Sequence, residues 1–215
     1  MKWIEKKISN EPKSLRLHRQ KPFCNYENYS EKDELRETLL QEQGYICCYC
    51  MSRIQAPNFE KMKIEHWKPQ HKFKEDQLNY SNLLASCRGN EWSDLKNFHC
   101  DMHKGEYYIT LNPMDKNMVE KITYGRLGNI KINDVLLQKE MNEILNLNAE
   151  TLKTQREGVY KGVTLFLNKK FGNKKASKSD LSKEIKRWSE KRNGKFEPFC
   201  SVAIYFLNKA LKNAL

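Results

Sequence analysis

The chain has 215 residues, with 39 Lys and Arg against 27 Asp and Glu, for a net charge of +12. No apolar run approaches the roughly 20 residues that cross a bilayer, and the lysines of Met1 to Asn10 have no apolar stretch behind them. A membrane span and a secretory leader are therefore not expected, and the expected location is the cytoplasm. The positive excess suits a polyanion, because each Lys or Arg that neutralises a phosphate releases a counterion. Plain solubility accounts for it equally well, and charge does not separate DNA from RNA.

Three regions are expected, without internal repeats. Residues 1–44 form a lead-in whose clear element is a helix over 31–43. Leu35, Leu39 and Leu40 make its apolar stripe, Ser30 is its candidate N-cap with Asp33 three residues on, and Gly44 is its stop. Residues 45–110 carry most of the chemistry-bearing side chains. Within them 62–67 is expected as a strand, since Met62, Ile64 and His66 alternate with Lys63, Glu65 and Trp67 before Pro69. A polar turn from Asn79 leads into apolar Leu83-Leu84-Ala85, and a short helix is expected over 100–108. In residues 111–215, a hairpin of 119–124 with 129–132 is expected around Gly125 and Gly128. Helices follow at about 135–146, 149–170, 178–192 and 198–213, with a basic loop over 172–179. The expected class is α+β, with helices dominating.

The seven cysteines are odd in number and lack an export signal, which argues against a disulfide framework. Cys24 and Cys200 sit among apolar neighbours and are expected to be small buried residues. Cys47 and Cys50 form a C-x-x-C knuckle that aims two thiolates to one side of a turn, and Cys87 and Cys100 supply a second, widely separated pair. Together they are candidate ligands of a tetrahedral structural zinc. A mixed site with His99 or His103 in place of Cys100, or four free thiols, are the alternatives. Cys48 is expected to point away.

Between the half-sites lies Lys63-Ile64-Glu65-His66-Trp67-Lys68-Pro69, followed by Asn82-Leu83 before Cys87 and by Cys100-Asp101-Met102-His103-Lys104-Gly105. This order resembles the zinc-bearing HNH endonucleases, whose core is a zinc-stapled ββα-metal motif. The resemblance implies that His66 is the general base and that Glu65 is a ligand of a catalytic Mg²⁺ or Mn²⁺. It also implies that Asn82 braces the loop and that Lys104 lies near the phosphate. Asp101 stands where the family usually has His or Asn. It keeps an oxygen donor for a hard cation. The residues 88–99 are an insertion in the family's second cysteine pair, and they leave the placing of Cys100 and Asp101 open.

The flanks, including Lys2-Trp3-Ile4-Glu5-Lys6, the segment from Ser86 to Gly105, and Leu145-Asn146-Leu147-Asn148, are similar to the PtuB-type HNH proteins of Septu antiphage systems and some retrons. That resemblance implies an ABC-type ATPase partner (PtuA-like) and, in retrons, a reverse transcriptase with its RNA–DNA product. The helical residues 135–215 are a candidate docking surface, or simply a shell over the core. The competing function is a non-catalytic zinc module that binds nucleic acid or a partner.

Overall fold

A computed structural model describes residues 1–55, 62–91, 93–172 and 176–214. The helices are α1 (Lys13–His18), α2 (Lys32–Gln43), α3 (Asp101–Lys104), α4 (Lys116–Glu120), α5 (Val135–Lys139), α6 (Glu150–Phe171), α7 (Lys178–Ser189) and α8 (Cys200–Lys212). The strands are β1 (Met62–His66), β2 (Leu83–Cys87), β3 (Thr123–Tyr124) and β4 (Ile130–Lys131). The fold is α+β, with helices and two small antiparallel two-stranded sheets, β1–β2 and β3–β4. Among the described residues, no helix is long and apolar enough to cross a membrane.

Helix α2 ends where expected. Gly44 takes the left-handed conformation at φ 62°, and the Tyr45 N–H closes onto the Leu40 carbonyl at 2.8 Å. A Cβ on Gly44 would lie 2.4 Å from a Phe196 ring carbon, so close approach as well as conformation demands glycine. The start differs from expectation. Glu31 occupies the N-cap without a side-chain cap bond, and the Ser30 hydroxyl donates to Glu31 Oε1 at 3.0 Å instead. Asp33 and Glu34 in the first turn offset the missing cap through the helix dipole.

Strand β1 pairs with β2 in the register Met62↔Cys87, Ile64↔Ala85, Glu65↔Leu84 and His66↔Leu83. Helix α2 packs on β2 and adds a side-chain clamp. Gln43 Oε1 accepts the Ala85 N–H at 2.7 Å and its Nε2 donates to the Ala85 carbonyl at 2.8 Å. Lys6 donates to the Leu83 carbonyl at 2.8 Å and pairs with Glu42 at 2.8 Å. One buried cluster runs from Leu15 and Leu39 through Leu83 to Leu147 and Val202, so the hairpin is held between the N-terminal helices and the C-terminal region.

The second sheet is shorter than the alternating pattern suggested. Val119, expected in its first strand, is the buried residue of α4. That helix is nucleated by Asp115, whose side chain accepts the Met118 N–H. The helix expected over 135–146 is α5 followed by a π-helical turn, Glu140–Ile144. Glu140 is turned inward there and accepts the Thr110 and Leu111 N–H groups, each at 2.8 Å. Helix α8 packs on α7 and α6 through buried Val202, Ala203 and Leu207.

Candidate metal and catalytic centre

The knuckle is a tight turn closed by the Ile46↔Arg53 bridge. Met51 takes φ 68°, and its N–H bonds the Cys47 carbonyl at 3.1 Å. Cys87 ends β2. The chain then leaves for the insertion 88–99 and must come back to place Cys100. Its two ends are pinned by the His99 N–H on the Gly89 carbonyl at 3.0 Å. Gly89 has φ +60°, and a Cβ there would meet the His99 carbonyl oxygen at 2.1 Å. Cys100 is held by its own N–H on the Leu145 carbonyl at 2.9 Å, and Asn146 Nδ2 donates to the Phe98 carbonyl at 2.7 Å.

The result is one group of four sulfurs, Cys47, Cys50, Cys87 and Cys100, all within 4.8 Å of one another. Cys47 and Cys100 are 3.8 Å apart and Cys50 and Cys87 3.7 Å. A tetrahedron with Zn–S bonds of ~2.3 Å has edges of ~3.8 Å, so the four fit a zinc ion. Burial pushes the Cys100 thiol well up. Burial also raises Cys47, but its interactions with the neighbouring sulfurs of Cys100, Cys48, Cys50 and Cys87 outweigh it and hold that thiol well below its ordinary range. Of the histidines weighed as substitutes, His99 Nδ1 lies 3.2 Å from Cys100 Sγ and 4.0 Å from Cys87 Sγ, beside the sulfurs rather than in place of one. His103 Nδ1 bonds the Ile144 carbonyl at 3.0 Å. His71 is exposed. Cys48 lies outside the quartet. Cys200 is buried as expected, whereas Cys24 is half-buried and donates to the Arg19 carbonyl.

The far end of β1 carries Glu65 and His66, both buried. His66 Nε2 lies 3.0 Å from the Gln77 carbonyl oxygen. A carbonyl only accepts, so Nε2 carries the proton and Nδ1 is the ring's acceptor when the imidazole is neutral. Burial lowers its pKa, and the Tyr26 ring packs edge-on against it at 4.5 Å. Asn82, the residue before β2, is 3 % exposed. Its Oδ1 accepts the Lys68 N–H at 2.7 Å, and its Nδ2 donates to the Lys68 and Asp76 carbonyls at 2.9 and 3.1 Å. Those three bonds fix the loop that presents the Gln77 carbonyl to His66.

Glu65 Oε1 accepts the Tyr49 hydroxyl at 2.7 Å and pairs with Lys104 Nζ at 2.8 Å. Burial pushes the Glu65 carboxyl well up, a hydrogen bond and the charge of Asp101 add to this, and Lys104 opposes it. Asp101, at the first position of α3, is also faced by Lys63 Nζ at 3.4 Å. Glu65, buried, and Asp101, partly open, bring carboxylate oxygens of the kind a hard divalent cation takes. Lys104 itself is 1 % exposed, its ammonium held by Glu65 and by the His66 carbonyl at 3.0 Å. Tyr49, Tyr26, Gln77 and Lys63 were not expected here. Tyr49 lies between two knuckle cysteines, where nothing in the pattern distinguishes it from core.

No family model matches the chain. The chain is 30 % identical over 109 residues to a protein of Escherichia coli named as the proposed HNH endonuclease of retron Ec83. That likeness takes in 46 % of this chain and 42 % of the relative, so the chain spans less than half the length of the curated protein it matches.

Proposed function

We propose that this protein is a metal-dependent HNH endonuclease that hydrolyses phosphodiester bonds, with 45–110 as its ββα-metal core and the four-cysteine zinc as its staple. The observation that carries the reading is His66. Its Nε2–H is committed to the Gln77 carbonyl, and burial favours the neutral ring, so Nδ1 is free to take a proton from an attacking water. Asn82 holds the loop that sets this tautomer. Glu65 and Asp101 would hold a Mg²⁺ or Mn²⁺. Such an ion, when bound, supplies charge neutralisation at the phosphate and at the leaving oxygen. A zinc with four protein ligands leaves no open position and takes no part in the chemistry. Lys104, buried and paired with Glu65 at 2.8 Å, would lend positive charge near the phosphate from beneath that carboxylate.

His66→Ala should lower cleavage of nucleic acid in Mg²⁺ or Mn²⁺ by a factor of at least about 10², with zinc content unchanged and the chain still folding cooperatively. Plasmid DNA, single-stranded DNA and RNA should each be assayed. A variant that cuts as well as the parent replaces this reading with a non-catalytic zinc module that binds nucleic acid or a partner.

The retron assignment of the relative favours a role as the nuclease subunit of a cytoplasmic antiphage complex of Septu or retron type. In such a complex a PtuA-like ABC-type ATPase would restrain cutting, and in a retron a reverse transcriptase with its RNA–DNA product would join it. Co-purification with an ATPase encoded beside this gene tests that wider assignment, and the catalytic reading stands independently of it.

A further inference from the structure

A cavity of about 530 Å³ lies away from His66, between the N-terminal segment, α2 and the turn at 191–196. Its lining includes Lys2, Lys7, Asn10, Gln43, Lys191 and Phe196. The charges there do not cancel. Glu42 is taken by Lys6 at 2.8 Å, and Glu5 by Lys7 at 3.3 Å. Lys2 and Lys191 remain, and both crowd one ring, with Nζ at 4.3 and 5.4 Å from the Phe196 centroid. Lys191 is further held by two α2 carbonyls, Gln41 at 2.6 Å and Glu42 at 3.1 Å. Burial lowers the Lys191 ammonium, Glu42 opposes that, and Lys2 and Lys7 add to the lowering, as expected of clustered like charges. An anion placed between Lys2 and Lys191 relieves the repulsion. The volume far exceeds an inorganic anion and falls in the ordinary range for small-molecule sites.

We propose that this cavity binds a nucleoside 5′-phosphate, with the phosphate between Lys2 and Lys191 over the Phe196 ring and the nucleoside along the rest of the lining, which includes Trp3, Ile4 and Thr38. The group can come from a free nucleotide or from the 5′ end of a nucleic-acid strand. The site adjoins the hairpin, because Gln43 lines the cavity and also brackets Ala85, the register partner of Ile64 on the strand that carries Glu65 and His66.

The test uses the full zinc-loaded chain carrying His66→Ala, so that nucleic acid stays intact, and titrates AMP by calorimetry. AMP should bind with a Kd below about 1 mM, about −4 kcal/mol, and inorganic phosphate at least tenfold more weakly. The double variant Lys2→Ala/Lys191→Ala should lose at least tenfold in AMP affinity while keeping its zinc and a cooperative melting transition. A short single-stranded oligonucleotide is then compared with and without its 5′-phosphate. A 5′-phosphate that tightens binding through Lys2 and Lys191 identifies a strand end as the source. AMP binding with no such effect identifies a free nucleotide. The proposal is overturned if AMP does not bind and the 5′-phosphate makes no difference. It is overturned equally if the double variant binds AMP as the parent does, or if inorganic phosphate binds as tightly as AMP.

Discussion

Asn82 decides more of the centre than its size suggests. Its side chain satisfies the Lys68 N–H and the Lys68 and Asp76 carbonyls, and its own carbonyl accepts the Trp67 N–H at 3.0 Å. Removing the amide in Asn82→Ala leaves those groups without their partner in a nearly closed site. The expected cost is about 2–4 kcal/mol, read by chemical denaturation. Asn82→Asp keeps the acceptor for Lys68 but sets an acceptor against two carbonyls, so it should be no better than Ala. A variant as stable as the parent would mean that the loop holds itself. His66, Glu65 and Asn82 were legible in the sequence because the motif orders them around a strand and a turn. The pairing of Lys104 with Glu65 was not legible. Lys104 is the last residue of the four-residue helix that follows Cys100, and its direction depends on how the insertion 88–99 returns the chain.

The elements were legible where a local signal sufficed. The α2 stop at Gly44, the end of β1 before Pro69 and the long C-terminal helices follow from glycine, proline and period. The short pieces were set by neighbours instead. Val119 alternates like a strand residue but is claimed by a helix that Asp115 caps. The turn at Glu140 widens where that carboxylate reaches the 110–111 backbone. The cysteine staple joins three such pieces, namely the knuckle, the end of β2 and the start of α3. Purified protein should therefore contain about one zinc per chain, and Cys47→Ser or Cys87→Ser should lose it together with cooperative melting. Cys48→Ser should keep the metal. Elemental analysis without zinc, on protein never exposed to chelator, would rule the staple out. The insertion adds a second prediction at this scale. Gly89→Ala places a Cβ 2.1 Å from a backbone oxygen at positive φ, which a backbone shift must relieve at about 1–3 kcal/mol. Because that shift displaces Cys100 as well, zinc should be released at a lower chelator concentration than from the parent. Unchanged release would uncouple the insertion from the metal.

At the scale of the molecule, the C-terminal region divides into faces that sequence alone could not assign. The period of α8 marks Val202, Tyr205, Phe206 and Leu207 as apolar, but a docking surface and an inner shell have the same pattern. The structure gives this face partners within the chain. Val202 and Leu207 are buried, Tyr205 stacks edge-on against Tyr124 at 5.6 Å, and Phe206 meets Tyr160 of α6 at 4.5 Å. Tyr124 belongs to β3, so α8 ties the second sheet to α6 and α7. Tyr205→Glu with Phe206→Glu would place two carboxylates in these half-buried aromatic contacts, each losing a ring pair and desolvating a charge. A loss of about 2–4 kcal/mol lowers the melting temperature of a chain this size by roughly 5–15 °C. The double variant should therefore melt early and aggregate, and any loss of binding to the proposed ATPase partner would follow from that. Melting at the parental temperature combined with a specific loss of partner binding would instead make this face an interface, with the tyrosine contacts dispensable to the fold.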